Sequence, residues 1–247
     1  ISQMDLANAL QLSQSAVSDW CTGKKMPRID KINTMCILFN CSRSDLMDHH
    51  PQNNYISKYR KEVPSMPLPK QHAYTSEDYW NLPDGQRAEL IDGQLYNMAP
   101  PSRIHQRLVS QFTRVIGQYI ADHHGSCQVY PAPFAVNLDA DDKDWVEPDI
   151  SVICDHNKLT DRGCTGAPDW IIEIVSPSSS RMDYYKKMNL YLDAGVRVYW
   201  IVDPIRERTT VCDFSGDNVP VMFTFSQTVA VSIYPDLAIC IDDLLNG

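Results

Sequence analysis

Trp170-Ile171-Ile172-Glu173-Ile174-Val175 is an apolar, largely β-branched run interrupted by one carboxylate. Its composition predicts a strand over 170–175 that is too apolar to face water. An ionised Glu173 inside such a strand is costly to bury unless a cation or a donor pairs with it. Mg²⁺ suits that role, because it takes a few carboxylate and carbonyl oxygens and keeps several waters. A second carboxylate stands upstream in Pro148-Asp149-Ile150-Ser151-Val152, which opens a strand predicted over 149–154. The 23 residues between Asp149 and Glu173 leave room for a connecting loop around 163–167. Asp149, Glu173 and the backbone carbonyl of Ile174 are therefore the predicted metal ligands, with Mn²⁺ as an alternative ion.

On either side the pattern alternates between strand and helix periods. Glu89-Leu90-Ile91-Asp92-Gly93-Gln94-Leu95-Tyr96 reads as a hairpin, because Asp-Gly accepts the positive φ angles of a type I′ turn. A helix is predicted over 103–123, with Ile104, Leu108, Phe112, Val115, Ile116, Tyr119 and Ile120 on one face. A strand is expected over 129–138 and a second helix over about 180–194. Val198-Tyr199-Trp200-Ile201-Val202 is apolar throughout and predicts a strand buried on both faces. Shorter strands follow near 209–214, 222–225 and 230–233. The expected class is α/β, an α+β mixed sheet with helices packed on it, over residues 70–247.

The first 50 residues read differently. Met4, Leu6, Ala7 and Leu10, then Ala16, Val17 and Trp20, then Ile32, Met35, Cys36, Ile37 and Phe39 recur at helical spacing, predicting three short helices. Ser13 is placed to cap the second, Thr22-Gly23 to stop it and Asp30 to cap the third. Residues 51–69 end in Pro64-Ser65-Met66-Pro67-Leu68-Pro69 and read as a linker.

Bulk properties limit the functions available. Apolar residues make up 43% and charged residues 21%, enough for a sizeable core. The absence of an 18-residue apolar run and of a signal-peptide pattern predicts a cytoplasmic protein without a membrane partner. Eight scattered cysteines without a CxxC pair are expected to be free, mostly buried thiols. The formal charge of −9 opposes phosphate binding, but residues 1–63 carry 8 Lys/Arg against 6 Asp/Glu, leaving 14 against 25 for the rest. So acidic a body can approach a phosphate backbone only with a metal.

Pro-Asp, a spacer, then Glu resembles the PD-(D/E)XK nuclease superfamily. Within it, Val146-Glu147-Pro148-Asp149-Ile150-Ser151-Val152 and Ala167-Pro168-Asp169-Trp170-Ile171-Ile172-Glu173-Ile174-Val175-Ser176-Pro177-Ser178 resemble the Uma-two family, described as "putative restriction endonuclease". Asp183, Lys187, Tyr191, Gly195-Val196, Tyr199–Pro204 and the upstream Glu89–Gly93 extend the likeness, which covers about 74–214. The resemblance implies a restriction-endonuclease-like core and hydrolysis of DNA phosphodiesters. Val175 departs from it, standing where the superfamily has a lysine. The resemblance then implies a migrated lysine, Lys187, four residues after Asp183, which would stabilise charge on the scissile phosphate; Lys186 is expected to point elsewhere. Glu89 is read as a further ligand, a water-positioning residue or a hairpin-stabilising carboxylate. His105 is read as a substrate or metal contact or an ordinary helix-terminal residue. Glu147, Asp169 and Asp183 are read as strand-end or helix-capping carboxylates.

Residues 2–46 resemble the Cro/repressor-type helix-turn-helix, carried by Ser2–Ala7, Leu12–Trp20 and Gly23-Lys24-Lys25-Met26-Pro27. The likeness implies that Gln14, Ser15 and Ser18 reach bases or phosphates and that Lys24 and Lys25 lie near the backbone. Asp19 opposes tight binding. The chain starts at Ile1, where a preceding helix is expected to end, so the first helix of the five-helix domain is expected to be missing. A helical dimerisation or docking module is the other reading of this head. A homodimer is compatible with a helix-turn-helix reader and with cutting both strands. Two readings compete with a DNA nuclease: a DNA-binding regulator with an attenuated site, for which Val175 speaks, and a phosphodiesterase acting on RNA or a small nucleotide.

Overall fold

A computed structural model describes residues 73–246 apart from 139–141, 177–181 and 217–218, together with most positions from 3 to 35. At the N-terminal end, α1 (Gln3–Ala9) and α2 (Gln14–Cys21) precede helical residues at 31–32 and 34–35. Ser13 opens α2 as expected, its Oγ accepting a bond of 3.3 Å from the Ala16 amide. Leu10, Ile32 and Met35 are buried together against Leu6, Leu12 and Trp20. The expectations for Thr22-Gly23, Asp30 and the 51–69 linker lie outside the described residues.

The remainder is a mixed α+β structure. In chain order it comprises α3 (Ser76–Trp80), β1 (Ala88–Ile91), β2 (Gln94–Asn97), α4 (Arg103–Asp122), β3 (Gln128–Pro131), β4 (Val136–Asn137), β5 (Trp145–Val146), β6 (Ile150–Ile153), β7 (Leu159–Thr160), β8 (Gly163–Thr165) and β9 (Trp170–Ile174). A π-helical turn, Met182–Lys187, leads into α5 (Met188–Ala194), followed by β10 (Val198–Asp203), β11 (Arg208–Asp213), β12 (Val221–Thr224), β13 (Thr228–Val231), β14 (Tyr234–Cys240) and α6 (Ile241–Asn246). One six-stranded sheet has the order β12-β11-β10-β9-β6-β3, a second β2-β1-β5-β4-β8-β7, and β13-β14 form a ribbon. Only β9-β10 run parallel in the first sheet.

The two faces of the first sheet follow from the strand period of two. Ile150, Val152, Trp170, Ile172, Ile174, Val198, Trp200 and Val202 share one core with Leu108, Phe112, Ile116 and Ile120 of α4, which recur every fourth residue. The alternate set, Ile153, Ile171, Val175, Tyr199 and Ile201, packs with Met188 and Tyr191 of α5 and with Val136, Val146 and Cys164 of the second sheet. Asp149 and Glu173 have the parity of this second face. Ile150 lies opposite Ile172 in the antiparallel β6-β9 ladder, so extending the register by one position sets Asp149 opposite Glu173.

Several expectations hold. Asp92 and Gly93 have φ of 52° and 65°, as a type I′ hairpin requires, and every residue of β10 is buried. Others need correction. The strand expected over 129–138 divides into β3 and β4, because Pro131 and Pro133 have no amide to donate to a ladder. The spacer around 163–167 is partly strand, since β8 pairs with both β4 and β7. The expectation of free thiols fails at one pair: Cys127 and Cys154 form a disulfide. They flank the Gln128–Ile153 pair of the β3-β6 ladder, a proximity that 27 residues of separation conceal. Cys164 and Cys212 are buried free thiols, while Cys21 is exposed. No helix among the described residues is long and apolar enough to cross a membrane.

Gly163 has φ of +132°, and a Cβ there would meet the Ala135 carbonyl oxygen at 2.0 Å. That carbonyl also accepts the Cys164 amide at 2.9 Å. Gly163→Ala is therefore expected to cost at least ~2 kcal/mol from backbone strain and lost ladder geometry. Urea denaturation checks this, and a change below ~0.5 kcal/mol would show that β8 can shift freely.

Candidate active site

Four carboxylates and one ammonium gather where β9 meets β1 and the π-helical turn. Glu173 is the only charged residue of β9, and its parity aims it at α5. Its Oε1 accepts bonds from Lys187 Nζ at 2.8 Å and from the Tyr191 hydroxyl at 2.7 Å. Lys187 Nζ lies equally close, 2.8 Å, to Glu89 Oε1, and 3.9 Å from Asp183 Oδ1. Lys187 and Glu173 are each 4% exposed. Lys186 turns away, as expected, and donates to the Tyr96 hydroxyl at 2.7 Å.

Asp149 borders the same cluster. Its Oδ2 accepts the Ile174 amide at 2.7 Å and lies 3.1 Å from His105 Nε2. The Ile174 peptide thus sits beside Asp149, in the strand position next to Glu173. His105 occupies the first turn of α4, whose start is set by the Ser102 hydroxyl accepting the His105 amide at 3.3 Å. With a proton on Nε2, its ring donates to Asp149, while Nδ1 is buried without a hydrogen-bond partner.

Glu89 is held from two sides. Besides Lys187, its Oε1 accepts the Glu147 amide at 3.0 Å. Glu147 takes Arg87 Nε at 3.0 Å and the Tyr79 hydroxyl at 3.1 Å. Its carboxylate therefore ties Tyr79 of α3 to Arg87, the residue before β1, besides following a strand end. Asp183 stands in the first turn of the π-helical segment, is 2% exposed, and its carbonyl accepts the Tyr199 hydroxyl at 2.9 Å. Asp169 does act at a strand end, accepting the Cys154 amide at 2.8 Å and pairing with Arg197.

The electrostatics reflect an excess of negative charge. Burial, reinforced by Asp149, Asp183 and Glu89 and opposed by Lys187, pushes Glu173 well above the usual carboxylate range. Burial alone would lower Lys187, but Glu173, Glu89 and Asp183 outweigh it and hold the ammonium well above its ordinary value. Burial and the same carboxylates raise Tyr191, so its hydroxyl stays a donor. One ammonium cannot balance four carboxylates, and this donor set suits a divalent cation. Among the described residues no three His, Cys, Asp or Glu side chains form a metal cage. A cation held here would have to complete its shell with water, backbone or substrate oxygens.

The composition of this cluster was partly legible beforehand. Asp149, Glu173, Lys187, Glu89 and His105 are brought together. Tyr191 and Asp183 were missed as site residues, although both lie one helical turn from Lys187, at a spacing that shares a face. In the N-terminal segment, Gln14, Ser15, Lys24 and Lys25 are exposed and Ser18 is half-buried. Asp19 is paired with Lys25 at 3.1 Å, which offsets the charge that argued against DNA.

Comparisons with known proteins bear on the family and the fold. A family model named Uma2 and described as "Putative restriction endonuclease" matches residues 76–241, and one for a Cro/C1-type helix-turn-helix DNA-binding domain matches residues 1–52. The uncharacterized protein slr1290 of Synechocystis sp. is 25% identical over 130 residues, which are 52% of this chain and 65% of that protein, slightly under two thirds of its length. The uncharacterized protein sll1609 of the same organism is 22% identical over 156 residues, 58% of this chain and 86% of that one. Among solved structures, a "putative nuclease belonging to DUF820" from Anabaena variabilis superposes with a TM-score of 0.58 at 23% identity, covering 70% of this chain and 97% of that one. At that identity the likeness establishes the fold.

Proposed function

The chain belongs to the Uma2 family, and on that premise we propose that residues 70–247 form a metal-dependent nuclease hydrolysing DNA phosphodiesters, directed or regulated by a DNA-binding head at residues 1–50. The observation that carries this reading is the buried meeting of Glu173 and Glu89 with Lys187, with Asp149 opposite Glu173 in the extended β6-β9 register. Asp149 and Glu173 would hold the cation, with the Ile174 carbonyl as a further ligand. A bound Mg²⁺ or Mn²⁺ would supply a water of lowered pKa and neutralise phosphate charge.

The chain's own groups account for the rest. Lys187 presents a permanent positive charge to the reacting phosphate, and Glu89 and Glu173 hold its ammonium in place. Glu89 is in turn fixed by the Glu147 amide. Lysine at this position replaces the one absent at Val175, whose side chain is buried in the core beside α5. The test is cleavage of supercoiled, linear and single-stranded DNA and of RNA with Mg²⁺ or Mn²⁺, comparing wild type with Asp149→Ala, Glu173→Ala and Lys187→Ala. Equal activity in all four would sink the assignment, and cutting confined to RNA would replace the substrate class.

For the head, Gln14, Ser15 and Ser18 would face bases, with Lys24 and Lys25 near phosphates. Lys24→Ala is expected to weaken binding of all duplexes alike and lower the slope of log affinity against log salt by about 1. Gln14→Ala is expected to relax sequence preference instead. Fluorescence anisotropy at several salt concentrations separates the two; unchanged affinity in both would favour a docking module. Paired heads would also permit a homodimer that cuts both strands.

A further inference from the structure

We infer that Tyr191 and His105 are positioning residues that decide which carboxylate oxygens face the cation. This rests on the metal-site reading above and deepens it. Each of the two carboxylates has one oxygen committed to the protein. Glu173 Oε1 takes both Lys187 Nζ and the Tyr191 hydroxyl, at 2.8 and 2.7 Å. Asp149 Oδ2 takes the Ile174 amide at 2.7 Å and faces His105 Nε2 at 3.1 Å. The remaining oxygens, Glu173 Oε2 and Asp149 Oδ1, accept no hydrogen bond from the described residues. A carboxylate with two donors on one oxygen cannot rotate about its last bond without breaking both, so its other oxygen is held in one direction.

The physical need for such holding is specific to a site with few ligands. A cage of three or more side chains is oriented by its own crowding, whereas two carboxylates on facing strands would otherwise turn toward the nearest ammonium. Lys187 already draws Glu173 Oε1, and without a second donor both oxygens could close on it. The Tyr191 hydroxyl saturates the oxygen beside Lys187 and leaves Oε2 available. Tyr191 is fully buried, is packed edge-on against Tyr199 with centroids 4.9 Å apart, and so has no freedom to leave. His105, anchored by the first turn of α4, does the same for Asp149. Both groups act through a carboxylate, and outer partners of this kind typically alter metal affinity by about 10–100-fold.

The test is Mn²⁺ binding to the full chain without nucleic acid, measured by isothermal titration calorimetry and by the electron paramagnetic resonance signal of free Mn²⁺. Tyr191→Phe removes one hydroxyl and is expected to weaken Mn²⁺ binding about 10-fold. Tyr184→Phe is the matched control, since Tyr184 lies in the π-helical turn that leads into α5 and its hydroxyl donates to Asp203 of β10 at 3.4 Å; it is expected to bind as wild type. His105→Ala is expected to weaken binding similarly, and His105→Gln, which keeps an N–H donor, to recover part of it. Wild-type affinity in a folded Tyr191→Phe protein would overturn the inference while leaving the metal site standing. Equal losses in Tyr191→Phe and Tyr184→Phe would also overturn it, marking the effect as general loosening. A wild-type protein that binds no Mn²⁺ would overturn the metal reading and this inference with it.

Discussion

Lys187→Met is expected to lower the unfolding free energy by about 3–5 kcal/mol and to abolish cleavage, because it strips a buried carboxylate cluster of its cation. Methionine keeps most of the volume, so the loss is electrostatic. The ammonium is 2.8 Å from both Glu89 and Glu173 and almost wholly buried. Removing it leaves Glu89, Glu173 and Asp183 facing one another where water cannot screen them. The sign of the pH dependence follows from the raised value of Lys187. A lysine held above its unfolded value contributes fully below pH 10.5 and loses that contribution only as pH rises through the folded value. The variant should therefore be destabilised throughout the neutral range, and Mg²⁺ should restore part of the loss by replacing the missing charge. Urea denaturation with and without Mg²⁺ measures this. A cost below ~1 kcal/mol would mean that the carboxylates do not rely on Lys187.

Glu173→Gln is expected to reduce cleavage on the order of 10³-fold while leaving the fold intact, the opposite separation of stability from activity. Glutamine retains an oxygen for Lys187 and Tyr191, so the hydrogen bonds at that end survive. It lacks the charge a cation needs. Burial and three neighbouring carboxylates raise Glu173, and a carboxyl raised on folding contributes stability that is fully present below its unfolded value of 4.5 and is lost as pH rises through its folded value. Without metal, wild type should lose stability across that window and Glu173→Gln should lose less. Stability curves in chelator at stepped pH, beside cleavage assays with Mg²⁺, give both readouts. Parallel pH curves for the two proteins would show that Glu173 carries no excess charge, and retained cleavage would remove it from the site.

The contrast between these variants also shows why the site was only partly readable. Glu173 announces itself because a charge within Trp170–Ile174 conflicts with its neighbours, and that conflict is local. Lys187 and Asp183 lie among polar residues where a solvated helix face would look the same. Tyr191 fits any amphipathic helix. Only its 2.7 Å bond to Glu173 distinguishes it from a core residue.

Local periodicity determined much of the chain's architecture. The Asp92-Gly93 turn, the i, i+4 face of α4 and the wholly apolar β10 depend on backbone angles and on residues at most four positions apart, so the sequence alone specified them. It also specified that Glu173 requires a counter-charge, since transferring a carboxylate out of water costs the same whatever the fold. Tertiary structure decided which group supplies that charge. The β6-β9 register sets Asp149 opposite Glu173 across 23 intervening residues, and packing of the π-helical turn and α5 on that face delivers Lys187 and Tyr191 to one oxygen. The Cys127–Cys154 bridge arises from the neighbouring β3-β6 ladder, one step beyond its last pair. Register and packing are properties of surfaces meeting across long loops, and the cost of closing those loops is nearly indifferent to which residues meet.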